Sequence, residues 1–282
     1  MIMIHNESDA REIAKKKSLH SIQNNFSHFD NDIEYEKKYI FKELTEENEI
    51  LQMFALRYIV YRYVNFIEPN TDQLDIDCYD LYSTFLGAFE VTGPTQRLIG
   101  TLRIISGDKE SAHADTLKGI YKNLTNYKFI DLLKRPYLFP IMETFNLPAG
   151  VLSTFNGNVS SQKKLNNKPY EISRLTILPE YWGSKAKIES GLHELLFLDA
   201  LNSNPKKNYY IIATHPRTKR KYSSLGFKII PGTKERIYKP LKQLAIAMNL
   251  DLNKYLETPN PFSEKCELLS KTYSSKNFIV KT

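Results

Sequence analysis

Two stretches that should be plain core strands carry groups able to do acid–base and ion-pair chemistry. Tyr170-Glu171-Ile172-Ser173-Arg174-Leu175-Thr176-Ile177 is apolar and β-branched in its second half, as a buried strand is, yet it holds Glu171 and Arg174. Leu98-Ile99-Gly100-Thr101-Leu102-Arg103-Ile104-Ile105 is a second apolar strand with one arginine. Upstream, Asp75-Ile76-Asp77-Cys78-Tyr79-Asp80 gathers three carboxylates into a short acidic turn. A carboxylate or guanidinium is costly to bury unless it is paired or used. Together these groups describe the wall of a polar site. Partial burial raises a carboxyl pKa towards the working range, so Glu171 could act as a general base, directly or through one water. Arg103 or Arg174 suits a bidentate grip on a carboxylate. A structural cross-strand ion pair is the competing reading of Glu171 and Arg174.

The elements that must position these residues read as α/β. Ile50, Phe54, Arg57, Tyr58 and Tyr61 fall close to one stripe, which predicts a helix from about Glu46 to Tyr63. Phe85–Val91 and Leu98–Ile105 form a hairpin around the turn residues Thr92-Gly93-Pro94-Thr95. Residues 107–168 read as a long connection over the site, with a helix near 116–134. Glu171–Ile177 is the next strand, followed by a helix through Leu192, Leu195, Leu196 and Ala200, then a strand at Tyr209–Thr214. Pro216–Ser224 suits a short helix closed by Gly226, and Phe227–Ile230 a strand. Residues 240–256 read as one more helix. The organisation is a polar N-terminal arm over 1–35, one body over 36–258, and a weakly patterned tail over 259–282.

A net charge of +7 favours an acidic partner. Zinc-finger spacings, arginine–glycine repeats and a dense basic helix are lacking, so no specific nucleic-acid role is expected. Cys78 and Cys266 have neither metal-ligand nor redox spacing, and Cys78 reads as a small core residue. No metal site is expected, and a reducing, cytoplasmic compartment fits the cysteine usage. No apolar run is long enough for a membrane span.

The order helix, hairpin, long connection, strand, helix, strand, short helix, strand, ending in Tyr222-Ser223-Ser224-Leu225-Gly226-Phe227, resembles the GNAT superfamily of N-acyltransferases. The middle resembles more narrowly the autoinducer (acyl-homoserine lactone) synthases and the related N-acyl amino acid synthases. Their signature is an arginine and an aromatic on the first helix, an acidic triplet, Gly-x-x-Arg and Glu-x-Ser-Arg. It is met here by Arg57 and Tyr61, by Asp75, Asp77 and Asp80, by Gly100 to Arg103, and by Glu171-Ile172-Ser173-Arg174. The first triplet position is Asp rather than Glu, the helix aromatic is Tyr, and Phe66 stands near the place of an expected tryptophan. These departures lean toward the acyl amino acid branch.

The resemblance implies a three-layer GNAT-like fold. Its mixed, twisted central sheet is splayed in the middle, with helices on both faces. It also implies transfer of a medium- or long-chain fatty acyl group from an acyl carrier protein thioester to the α-amine of an amino acid. The alternatives are S-adenosylmethionine as acceptor, giving a lactone, and a CoA-dependent acetyltransferase or a non-enzymatic basic binding module. No permanently bound cofactor is implied; the donor is acyl-phosphopantetheine. Glu171, Arg103, Arg174 and Asp77 are the implied catalytic residues. Arg57, Tyr61, Asp75, Asp80 and Ser173 are implied around the substrate, the triplet and Arg57 forming an ion-pair network. Asp77 and Asp80 either orient the arginines or meet the acceptor's ammonium. Backbone N–H groups near Ser173 to Leu175 would stabilise the oxyanion. The segment 181–191 lacks the paired glycines of a pyrophosphate loop, so Lys185, Lys187 and Ser190 are implied to hold a single phosphate. The 137–155 segment is expected to line an acyl tunnel. Glu171→Gln and Arg103→Ala are each expected to remove turnover while leaving stability nearly unchanged.

Overall fold

Alternating burial shapes the first strand: in β1 (Lys38–Glu43) Tyr39 and Phe41 are buried between more open neighbours. α1 (Glu47–Tyr63) follows, with Ile50, Met53, Phe54, Arg57, Val60 and Tyr61 buried at three-to-four spacing. The computed structural model describes residues 36–107, 109–148, 151, 169–183, 187–203, 207–258, 260–272 and 277–281. The polar arm, Lys185 and most of 149–168 lie outside the described residues.

β2 (Ser83–Thr92) and β3 (Thr95–Ile105) form the expected hairpin, with Gly93 in the left-handed region at its turn. The helix expected near 116–134 is instead two pieces, α2 (Ala114–Lys122) and α3 (Phe129–Leu132). Asp72 explains the break. Its carboxylate accepts the backbone N–H groups of Thr125 (3.0 Å) and Asn126 (2.8 Å), so the chain turns there rather than continuing a helix.

β4 (Pro169–Ile177), α4 (Ile188–Asn202), β5 (Tyr209–Thr214) and α5 (Lys219–Ser224) come next, Gly226 closing α5 at a left-handed φ of 87°. β6 (Lys228–Ile229), β7 (Arg236–Tyr238) and β8 (Gln243–Asp251) complete the body. The helix expected over 240–256 is β8 followed by the short α6 (Leu252–Leu256). Ala245, Ile246, Ala247 and Met248 are all buried, and β5, β6 and β7 all pair with this strand. Such a run, apolar on both faces, has no period to separate strand from helix. The weakly patterned tail forms α7 (Pro261–Thr272) and β9 (Asn277–Lys281).

Among the described residues the sheet order is β6-β8-β5-β4-β3-β2-β1-β9, with β7 also on β8. Every neighbouring pair is antiparallel except β4 and β5, so the sheet is mixed. The β4–β5 ladder runs from Pro169↔Tyr209 to Ile172↔Ile212, while both strands continue beyond it. This is the expected splay.

Strand alternation places helices on both faces. An added Cβ on Gly100 of β3 would touch Ile188 and Leu192 of α4, whereas Arg103 on the opposite face joins Asp80, which in turn holds Arg57 of α1. α4 is buried nearly all round, between the sheet and α7, where Phe197 meets Phe262 at 5.1 Å between ring centroids. Gly191 lets α4 lie directly on the ring of the fully buried Phe41. Gly191→Ala is therefore expected to destabilise by about 1–3 kcal/mol by overpacking, despite the helix propensity gained. Urea unfolding measures this, and a gain in stability would disprove the close approach.

Candidate active site

Six charged side chains from four parts of the chain close into a ring. Arg57 of α1 donates Nε to Asp75 (2.8 Å) and Nη1 to Asp80 (2.9 Å). From β3, Arg103 gives Nη1 to Asp80 (2.7 Å) and Asp77 (2.6 Å), and Nε to the Ser173 hydroxyl (2.9 Å). Arg174 of β4 places Nη2 against Asp77 (3.0 Å) and Nε against Asp75 (3.1 Å). Each arginine meets two aspartates and each aspartate two arginines, so the ring's formal charges cancel. Asp77 is the most open of the carboxylate side chains, at 24% exposure, and Asp80 is fully buried.

Local backbone makes this possible. The β3–β4 register passes from Thr101↔Thr176 to Arg103↔Ser173, so β4 carries one extra residue there. Arg174 lies at φ 52°, a left-handed value arginine rarely takes. Simple alternation would send Arg174 to the face opposite Ser173; the bulge returns it to the ring. Asp80 Oδ2 also accepts the Asp77 N–H (2.8 Å), and Asp77 Oδ1 the Tyr79 N–H (3.0 Å), folding the acidic turn onto itself. Burial opposes ionisation of Asp77, but Arg103 and Arg174 outweigh it and hold the carboxyl well below its usual range.

Glu171 stands apart. Its residue is 1% exposed, Oε2 accepts the Ile141 N–H at 3.0 Å, and Oε1 has no hydrogen-bond partner. Burial, only partly offset by that N–H and by Arg103, raises its pKa to about 8. Glu171 lines a cavity of about 300 Å³ together with Tyr61, Asp77, Arg103, Ser173 and Arg174. The ring of Tyr61 lies 5.3 Å from the Arg174 guanidinium.

The structure thus brings together Arg57, Tyr61, Asp75, Asp77, Asp80, Arg103, Glu171, Ser173 and Arg174. Asp80 is fully buried, bonds Arg57 and Arg103 and does not line the cavity, an arrangement that favours the arginine-orienting role of the two open to it. Arg103 is 2% exposed and tied to two aspartates, so Arg103→Ala is expected to cost stability as well as turnover, unlike Glu171→Gln. Cys78 is half-buried, packed against the core and also lining the cavity; burial pushes its thiol up to about 12 and makes it a poor nucleophile.

Lys187 and Ser190 lie elsewhere, at the start of α4. They line a second cavity of about 290 Å³ with Ile177, Trp182, Glu189, His193 and Lys221. Lys187 is in the left-handed region, and Ser190 donates to Glu194 at 3.0 Å. Lys221 is paired with Glu189. His193, buried with Nδ1 2.8 Å from the Glu189 carbonyl oxygen, has Nε2 unpartnered; burial lowers its pKa and keeps it neutral. The first cavity meets β4 over residues 171–174 and the second at Ile177, three residues beyond Arg174, or roughly 10 Å at strand rise.

Glu143, Tyr79 and Tyr238 also line the first cavity and escaped the sequence reading. Tyr79 donates its hydroxyl to Glu143 at 2.8 Å. The 3₁₀ turn Pro140–Glu143 therefore supplies both the N–H on Glu171 and a second carboxylate. The one sequence sign was an acidic residue inside the apolar segment expected to line a tunnel. Among the described residues, no group of three His, Cys, Asp or Glu is arranged to hold a metal, and no helix is long and apolar enough to cross a membrane.

No family model and no curated protein matches the chain. Solved structures similar to it include FeeM, an N-acyl amino acid synthase from uncultured soil microbes, at 18% identity over 84% of this chain and 98% of that one, with a TM-score of 0.48. The CoA-dependent acyl-homoserine lactone synthase BjaI is similar at 12% identity over 82% and 99%, TM-score 0.45. The acyl-homoserine lactone synthase LasI is similar at 14% identity over 78% and 91%, TM-score 0.43.

Proposed function

We propose that the chain is an N-acyltransferase that moves a medium- or long-chain fatty acyl group from an acyl carrier protein thioester to the α-amine of an amino acid. The observation that carries this reading is Glu171: a buried carboxyl, held by one N–H, with its other oxygen free beside the opening between β4 and β5. A direct amine attack needs one base and no nucleophilic side chain. The amine nitrogen attacks the thioester carbonyl carbon, and a C–N bond forms. The nitrogen's proton passes to Glu171 Oε1. The tetrahedral oxyanion collapses, the C–S bond breaks, and the thiolate leaves and is protonated. Backbone N–H groups freed by the bulge at Arg174 are suited to the oxyanion.

The ion ring's part is to fix the shape of β3, β4 and the acidic turn around the cavity. Asp77 and Arg174, its most open members on the cavity wall, face the acceptor. The pantetheine arm would lie along β4 toward the second cavity, where Lys187 and Ser190 stand at the N-terminus of α4 and suit one phosphate. The net charge of +7 suits an acidic carrier protein.

The test incubates purified protein with acyl–carrier-protein and acyl-CoA donors of graded chain length and a panel of amino acids. Mass spectrometry is expected to find an N-acyl amino acid, formed faster from the carrier-protein donor. Absence of acylated amine with every donor and acceptor would overturn the reading. Equal or faster reaction from CoA would overturn the donor assignment alone.

A further inference from the structure

We propose that Glu143 recognises a second positive charge on the acceptor, so that the substrate is a cationic amino acid rather than a neutral one. This rests on the acyltransferase reading and adds the acceptor's chemical class.

The charged groups of the first cavity point to this class. Its lining holds Asp77, Arg103 and Arg174, Glu171 and Glu143. The first three belong to the ring, in which three guanidiniums face three carboxylates and cancel. Neither lining guanidinium is a free cation awaiting an anionic substrate. What remains is two carboxyl groups: Glu171, which burial pushes up to about 8, and Glu143.

Glu143 is held in place without being neutralised. Its Oε1 accepts the Tyr79 hydroxyl at 2.8 Å, and a phenol contributes a hydrogen bond but no counter-charge. Among the described residues no lysine or arginine pairs with it. Of the basic residues around it, Arg135 stacks on Tyr82 at 3.7 Å and donates to the Leu138 carbonyl, and Lys239, whose backbone N–H donates to the Thr144 hydroxyl at 3.0 Å, has an exposed side chain. Glu143 also shares its 3₁₀ turn with the Ile141 N–H that holds Glu171, so the two carboxyls are fixed relative to each other by backbone. A diamino acid fits this pair: its reacting amine reaches Glu171 while its side-chain ammonium meets Glu143. An oriented carboxylate in a half-buried site gains more from a cation than from a neutral donor, because the cation adds a counter-charge to the hydrogen bond.

Ornithine and norvaline, of equal chain length and differing in the terminal amine, test this directly. With an acyl–carrier-protein donor, ornithine is expected to show at least about tenfold higher kcat/KM, the scale of one charge-assisted bond. In Glu143→Gln the ratio between the two should collapse toward one, the loss falling on KM for ornithine. S-adenosylmethionine serves as a third acceptor. Preference for it over ornithine, lost in the same variant, would support recognition of positive charge and identify a sulfonium as its source. Thermal-shift titration without donor gives a second readout: ornithine should stabilise the intact protein and norvaline should not. Equal use and equal stabilisation by ornithine and norvaline would overturn the proposal while leaving amine acylation standing. Stabilisation by ornithine with no product from any donor would support the charge recognition and remove the acyltransferase reading.

Discussion

Asp80→Ala is expected to cost about 3–5 kcal/mol of stability, among the larger single-residue effects available in this chain. Asp80 is fully buried and accepts from Arg57, Arg103 and the Asp77 N–H. Removing it leaves two guanidiniums, each at most 2% exposed, with one partner fewer. For a chain of this size the melting temperature should fall by roughly 10 °C. The double variant Arg57→Met/Asp80→Leu should cost less than the sum of its parts by more than about 1 kcal/mol, because it withdraws opposite charges together. Chemical denaturation decides the matter: a cost for Asp80→Ala below about 1 kcal/mol would put the ring in the class of surface pairs. The sign with pH also follows. Asp75 and Asp77 are held below the usual carboxylate range, so their contribution is present above about pH 4 and is lost as pH falls through their folded values.

Glu171→Gln is expected to lower turnover by about 10²–10⁴-fold, the usual loss when a general base is removed. Here folding should survive, since the amide keeps the shape and can still accept from Ile141 N–H. The pKa direction sharpens the test. A carboxyl raised to about 8 binds a proton in the folded state where the unfolded chain has lost it. Its contribution to stability is complete below its unfolded pKa near 4.5 and declines as pH rises toward 8. The Gln variant lacks this decline, so its melting temperature relative to the parent should rise between pH 5 and pH 9, values on the order of the two pKa limits. Turnover within a few-fold of the parent would remove Glu171 from the chemistry; a variant less stable at high pH would show the carboxyl is not buried as described.

Much of this was legible in the chain. The stripe through Ile50, Phe54, Arg57 and Tyr61 gave α1, and turn residues at Gly93 and Gly226 marked its hairpin and short helix correctly. The charged members of the site were legible because charge inside an apolar strand is rare. Their mutual geometry was not. Arg174 reaches the ring only through a left-handed bulge, and arginine has no preference that announces one. Glu143 was missed because its partner Tyr79 lies 64 positions away and its neighbours are apolar. β8 was misread because burial on both faces erases periodicity. β1 and β9 were missed because each gains its stability from long-range pairing rather than local pattern.

That last pairing has a consequence for biogenesis. β1 lies early in the chain, while β9, which covers its outer edge, lies near residue 281. On a ribosome the first strand emerges with a bare row of amides and carbonyls, and its cover is made only after all the strands and helices between them. Until β9 emerges the nascent polypeptide therefore presents a template for association with other chains, and chaperone engagement during synthesis matters more here than the finished architecture suggests.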